Sequence, residues 1–265
     1  MNIKSLLGAV AMLAAATAAN AGGFVNGDFE TGTTSGWTIG GGFRNYQNLS
    51  SVNPSAFLPG GSSYDASIAG SHSKVVSPGL DPLLGNLMAN TVYGGKYSLR
   101  IEDTTSGGYV SVASQTVTNY TDSNIFFAWL AVLENGGHSA EQSAAMKLQL
   151  VDKTTNTLLI SRTYNAVGGG GGVDSRFSVY GGTYYYTPKW QIEQLAIDAS
   201  LSGHTFELTV LASDCAPTGH EGYVYLDGFG AIAPPPSNGV PEPASLALVG
   251  GALVALAAAR RRKQA

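Results

Sequence analysis

Two short segments carry the reactive side chains: His138 and Glu141 in one, Asp214, Cys215, His220 and Glu221 in the other. Imidazole, thiol and carboxylate together are the groups of a zinc site or of a Cys-His nucleophile pair. The spacing completes neither pattern. His138-x-x-Glu141 lacks the second histidine of a helical zinc-protease motif, and Cys215, as the only cysteine, rules out a thiolate-rich tetrahedral set. A Cys215 and His220 pair needs the intervening Pro-Gly turn to fold them together, and a third residue to orient the base. The alternative role for a histidine beside such a turn is to tie loop carbonyls, which involves no catalysis. No Gly-x-Ser-x-Gly elbow occurs. A glycosidase pair needs two carboxylates about 5 to 10 Å apart, a distance that sequence does not fix.

The elements that must position these groups are strands. The chain has 35 glycines and 13 tyrosines, and its apolar residues arrive in short runs bounded by Gly, Asn, Asp and Ser. The runs predict strands at 125–133, 146–151, 157–164, 190–197, 205–211 and 223–229. Several alternate at period two, as in Phe206-Glu207-Leu208-Thr209-Val210, so one sheet face meets a core. The same alternation puts Tyr223, Tyr225 and Asp227 on one face of their strand and Val224 and Leu226 on the other. With the aliphatic pair inward, Tyr223 and Tyr225 form an open ligand face beside His220 and His138. The other reading packs both rings inside. Tyr184 to Tyr186 and Trp190 are further aromatic platforms. Gly168 to Gly172 predicts a loop, and Ser139 with Gln142 one short capped turn. Residues 22–233 are sized for one β-sandwich domain. The fold class expected is all-β.

Both ends of the chain read as targeting segments. Lys4, the apolar run Leu6 to Ala16 and the small residues Ala19 and Ala21 form a signal peptide over 1–21, which implies the Sec machinery and signal peptidase as partners. Pro234-Pro235-Pro236 opens a spacer over 234–240. An uncharged run, Ala244 to Ala259, then precedes Arg260, Arg261, Arg262 and Lys263. As a helix it is about 24 Å long at roughly 1.5 Å per residue, a short transmembrane span whose basic stop stays on the cytoplasmic side of the inner membrane. Between the ends, nine Lys and Arg face seventeen Asp and Glu, a net charge near −8. That balance excludes nucleic acid as a partner and suits calcium. Cys215 has no intramolecular disulfide partner, so it is expected to be buried, paired between chains or reactive.

Val240-Pro241-Glu242-Pro243, the apolar run and the basic stop together resemble the PEP-CTERM sorting signal of Gram-negative bacteria. The resemblance implies recognition by an exosortase, a membrane-embedded cysteine transpeptidase, at Pro241-Glu242-Pro243. Asn26-Gly27-Asp28-Phe29-Glu30, followed by Gly36-Trp37, is similar to the first strand of galactose-binding-like jelly rolls and related carbohydrate-binding modules. Gly222 to Asp227 is similar to the last strand of the same fold. This resemblance implies a jelly-roll-like sandwich, a polysaccharide ligand, and a structural Ca²⁺ held by Glu30 and Asp227 with Asp28 as third carboxylate. The segments 133–142 and 213–223 resemble paired motifs of large bacterial surface proteins, with Ser143-Ala144-Ala145 departing from the usual proline and bulky residue. The expected function is a non-enzymatic surface or extracellular-matrix module contacting exopolysaccharide. An exported glycan hydrolase and a self-associating matrix protein are the alternatives.

Overall fold

Alternating apolar and polar residues build twelve strands in residues 23–233, the part of the chain that this computed structural model describes. They are β1 (Thr38–Phe43), β2 (Lys74–Val76), β3 (Ser98–Ile101), β4 (Tyr109–Tyr120), β5 (Asn124–Glu134), β6 (Ala145–Asp152), β7 (Thr157–Asn165), β8 (Ser178–Tyr180), β9 (Tyr184–Tyr186), β10 (Gln191–Ala196), β11 (His204–Ser213) and β12 (Gly222–Gly230). The signal peptide with Ala19 and Ala21, the spacer, the sorting motif Val240 to Pro243, the run 244–259 and the basic stop lie outside the described residues. Among the described residues no helix is long and apolar enough to cross a membrane.

The strands form two antiparallel sheets. One has the order β1-β4-β11-β6-β7 and the other β2-β3-β12-β5-β9-β8, with β10 also pairing β5. β9 and β10 follow one another along one side of β5, opposite Val132 to Glu134 and Asn124 to Trp129 respectively. The sheets stack as a jelly-roll-like sandwich. Their shared core takes alternate residues of β5, Ile125, Phe127, Trp129, Ala131 and Leu133, against Leu208, Val210 and Ala212 of β11. Each large side chain removed from water in this way stabilises the fold by about 1.5–3 kcal/mol.

All six expected strands are present, five of them extended by one or two residues at an end and β10 shorter by one residue at each end. β4, the longest strand, escaped the sequence reading because Ser111, Ser114, Gln115 and Thr116 break its apolar pattern. Three of them are tolerated because each finds a partner: Ser111 Oγ donates to the Glu102 carboxylate at 2.7 Å, Ser114 Oγ to the Leu208 carbonyl at 3.1 Å and Gln115 Nε2 to the Val25 carbonyl at 2.7 Å. The outer face of the first sheet is covered. Val52 and Phe57 pack there on Val110, Val112 and Leu211. Gly40 and Gly42 of β1 permit that cover, since a β-carbon would lie 2.2 Å from the carbonyl oxygens of Phe57 and Ser63 respectively.

The expected first strand at 26–32 is a run of turns instead, and β1 begins only after Trp37. Its motif residues act as a clasp. The Asn26 side chain donates to the Thr33 and Ser35 carbonyls and accepts from Thr31 N–H, while Trp37 Nε1 donates to the Asn26 carbonyl. Phe29 stacks on Trp37 in the core, with ring centroids 5.1 Å apart. Phe229 N–H donates to the Gly27 carbonyl at 2.9 Å, so the first and last described segments meet, as the resemblance implies.

Candidate functional site

The two reactive segments become neighbours through strand register. The loop from β5 to β6 and the loop from β11 to β12 both cross from one sheet to the other. Leu133 of β5 pairs Gly222 of β12, and Ser213 of β11 pairs Ala145 of β6, so both crossings fall at the same end of the sandwich. Ala216 N–H donates to the Gln142 carbonyl at 2.7 Å and Glu134 N–H to the Glu221 carbonyl at 2.9 Å. Ser139 to Ser143 makes one turn, closed by Ser143 N–H on the Ser139 carbonyl.

Arg44 locks this junction. Its guanidinium is fully buried and donates to the Ser143 carbonyl at 2.6 Å, the Asp214 carbonyl at 2.8 Å and the Glu141 carbonyl at 2.6 Å, and its Nε donates to the Gln47 carbonyl at 3.0 Å. Burial pulls its pKa down to about 10, which leaves it charged at neutral pH. Nothing in the sequence flagged Arg44, because three of its backbone carbonyl partners lie 97 to 170 residues away in the chain, joined only by topology.

Of the six reactive residues, three converge. Cys215 N–H donates to the His220 carbonyl at 2.9 Å and Thr218 N–H to the Cys215 carbonyl at 3.1 Å, which folds the Pro-Gly turn back on itself. His220 Nδ1 then lies 3.5 Å from Cys215 Sγ and 3.2 Å from His138 Nε2. Cys215 is buried, and both imidazoles are half-buried. The reading that a histidine here ties loop carbonyls gives way to this mutual contact.

The other three serve the loops. Glu141 accepts from Ser50 N–H at 2.8 Å, which holds its carboxyl below the usual range. Asp214 accepts from Gly107 and Tyr109 N–H groups, and burial, with the Glu102 charge adding, pushes its pKa up to about 8. Glu221 is raised by burial and by the neighbouring Glu134.

The tyrosine face is a correction. Val224 and Leu226 do point into the inter-sheet core, but the opposite face is covered. Leu84 and Met88 pack over it, and Tyr223 and Tyr225 are 0% and 1% exposed. Both phenols donate to the Asp81 carboxylate, at 2.9 and 3.0 Å. Their pKa values rise through burial and that charge. Tyr185 and Tyr186 are likewise buried, and Trp190 donates Nε1 to the Asn90 carbonyl at 2.8 Å.

Each of the three carboxylates expected at a calcium accepts from backbone N–H. Glu30 Oε1 accepts from Lys96 and Tyr97 N–H groups at 2.7 and 3.0 Å. Asp227 is buried, and its Oδ2 accepts from Tyr93 and Gly94 at 2.9 and 3.0 Å while Oδ1 accepts from Gly228 at 2.7 Å. Asp28 accepts from Glu30 N–H at 3.3 Å. These N–H groups account for part of the acceptor capacity of each carboxylate. Burial pushes the Asp227 pKa up to about 7. The three carboxylates are not among the groups whose ligating atoms lie within 4.8 Å of one another.

A cleft of about 610 Å³ lies where the first and last described segments meet, lined by Phe24, Asn26, Asp28, Asp122, Phe229 and Ile232 among others. Volumes of about 300–1,000 Å³ are typical of small-ligand sites.

Solved structures similar to this chain include three sugar-binding domains. TmCBM61 in complex with β-1,4-galactotriose is 13% identical over 78% of this chain and 96% of that one, with a TM-score of 0.39. A non-crystalline cellulose specific carbohydrate-binding module, CBM28, is 12% identical over 77% and 92%, with a TM-score of 0.37. A xylan-binding domain from Paenibacillus barcinonensis is 17% identical over 80% and 96%, with a TM-score of 0.30. No curated protein matches the sequence. Residues 239–263 match the family model described as the PEP-CTERM protein-sorting motif. The chain therefore joins a β-sandwich to a PEP-CTERM sorting signal, which implies export, membrane anchoring through the C-terminal region and exosortase processing.

Proposed function

We propose that the chain is an exported surface module without catalytic activity that associates with polysaccharide. It is anchored in the inner membrane until exosortase acts near Pro241-Glu242-Pro243, and then stays on the cell surface or enters the extracellular matrix. The observation that carries the reading is the sorting motif at 239–263 placed behind a single sandwich. The cleft at the meeting of the chain ends supports a glycan ligand, because Asp28 and Asp122 offer acceptors for sugar hydroxyls beside the half-buried ring of Phe24. An acidic surface keeps nucleic acid away.

Two measurements test it. Intact-mass spectrometry of envelope, matrix and medium fractions is expected to show a mature form lacking the tail, lost in Glu242→Ala. A full-length tail held in the inner membrane of both strains would reject sorting. Isothermal titration with an exopolysaccharide panel is expected to give saturable binding, weakened in Asp122→Asn, with no product on the same panel. Turnover that Asp28→Asn or Asp122→Asn abolishes would make the cleft a hydrolase site instead.

A further inference from the structure

We propose that His138, Cys215 and His220 bind a zinc(II) ion at the junction of the two inter-sheet loops. Their ligating atoms all lie within 4.8 Å of one another. Zinc bonds imidazole nitrogen at about 2.0–2.1 Å and thiolate sulfur at about 2.3 Å, which in a tetrahedron sets nitrogen pairs about 3.3 Å apart and nitrogen-sulfur pairs about 3.6 Å apart. The separations here are 3.2 Å between His138 Nε2 and His220 Nδ1, and 3.5 Å between His220 Nδ1 and Cys215 Sγ. These two edges of the triangle thus match those around a bound ion.

Hydrogen bonding alone accounts for this arrangement less well. His220 Nδ1 faces both the sulfur and the other imidazole, and one ring nitrogen offers a single proton or a single lone pair. It can satisfy one of the two contacts. A cation shared by the three atoms satisfies all of them. Surrounding groups favour that state. Gly219 N–H donates to Cys215 Sγ at 3.2 Å, the kind of outer hydrogen bond that steadies a metal thiolate. A β-carbon on Gly136 would lie 2.1 Å from His220 Nδ1, so a glycine there clears the space the imidazole fills. Both imidazoles are half-buried, which gives an ion a route in, and three protein ligands leave a fourth position for water.

The test uses the full chain, stripped of metal with a chelator, and two probes: Zn²⁺ alone by isothermal titration and Co²⁺ alone by absorption. One zinc per chain is expected, and a thiolate-to-cobalt charge-transfer band that Cys215→Ser removes. His138→Gln and His220→Gln should each weaken zinc by more than about tenfold, and Gly136→Ala, which keeps every ligand, by about tenfold. Near-UV circular dichroism of the metal-free variants checks folding. His138→Gln, at a half-buried position, keeps the test decisive if the buried Cys215→Ser does not fold. No zinc uptake by the parent chain, or uptake unchanged in His138→Gln and His220→Gln, would overturn the assignment.

Discussion

Arg162 of β7 and Glu193 of β10 meet in a two-point ion pair, Nε to Oε1 at 2.8 Å and Nη2 to Oε2 at 2.6 Å, that ties the first sheet to the second. Arg162 lies on the inward side of β7 between Ile160 and Tyr164, where an aliphatic residue would close the sandwich edge by packing alone. Glu193 also accepts from Arg176 Nη1 at 3.1 Å and Trp129 Nε1 at 3.3 Å, and the Arg176 guanidinium sits 5.3 Å from the Trp129 ring centre. Glu193 is nearly buried, so these cationic partners offset the cost of taking its carboxylate out of water.

Glu193→Gln should therefore destabilise the domain by about 1–3 kcal/mol, since it leaves Arg162 and Arg176 without their carboxylate. Denaturant unfolding followed by the fluorescence of the three tryptophans reads this. A change under about 0.5 kcal/mol would place the bridge among inert surface pairs.

Arg44→Met should cost more, above about 3 kcal/mol, because it orphans three buried carbonyls in two loops at once. The same unfolding measurement applies. The proton resonances of His138 and His220 should shift, as the clamp fixes both of their loops.

His72 makes stability depend on pH. Its hydrogen bond to the fully buried Glu102, with Asp103 adding, raises its pKa from 6.5 to about 9. A folded value above the unfolded one means that the stabilisation is complete below about 6.5 and lost as pH rises through about 9. The denaturant midpoint should fall across that window in the parent chain. His72→Gln should flatten the fall, and an equal slope in both would exclude His72 as its source.

Tyr225→Phe should lose about 1 kcal/mol, the value of one buried hydrogen bond to Asp81, and leave polysaccharide retention unchanged. Asp81→Leu should lose more, because it strips both phenols of their acceptor. Loss of glycan binding in Tyr225→Phe, at unchanged unfolding midpoint, would return this strand to the ligand surface.

The sequence by itself determined the β class, six of the strands, the sorting motif and the division of β12 into a Tyr face and an aliphatic face. Each is a local property: side-chain period, turn residues, or a contiguous signal. Tertiary structure decided what covers each face. The tyrosines are closed off by the segment carrying Asp81, Leu84 and Met88, more than a hundred residues earlier in the chain. β4 keeps its buried serines because distant partners accept their hydroxyls, Glu102 for Ser111 and the Leu208 carbonyl for Ser114. The convergence of His138 with Cys215 and His220, 82 residues apart for the two histidines, follows from the pairing of β5 with β12 and β11 with β6. Periodicity shows that a strand has two faces, but only long-range pairing, closed against chain entropy by the core, chooses which residues share an end of the sandwich.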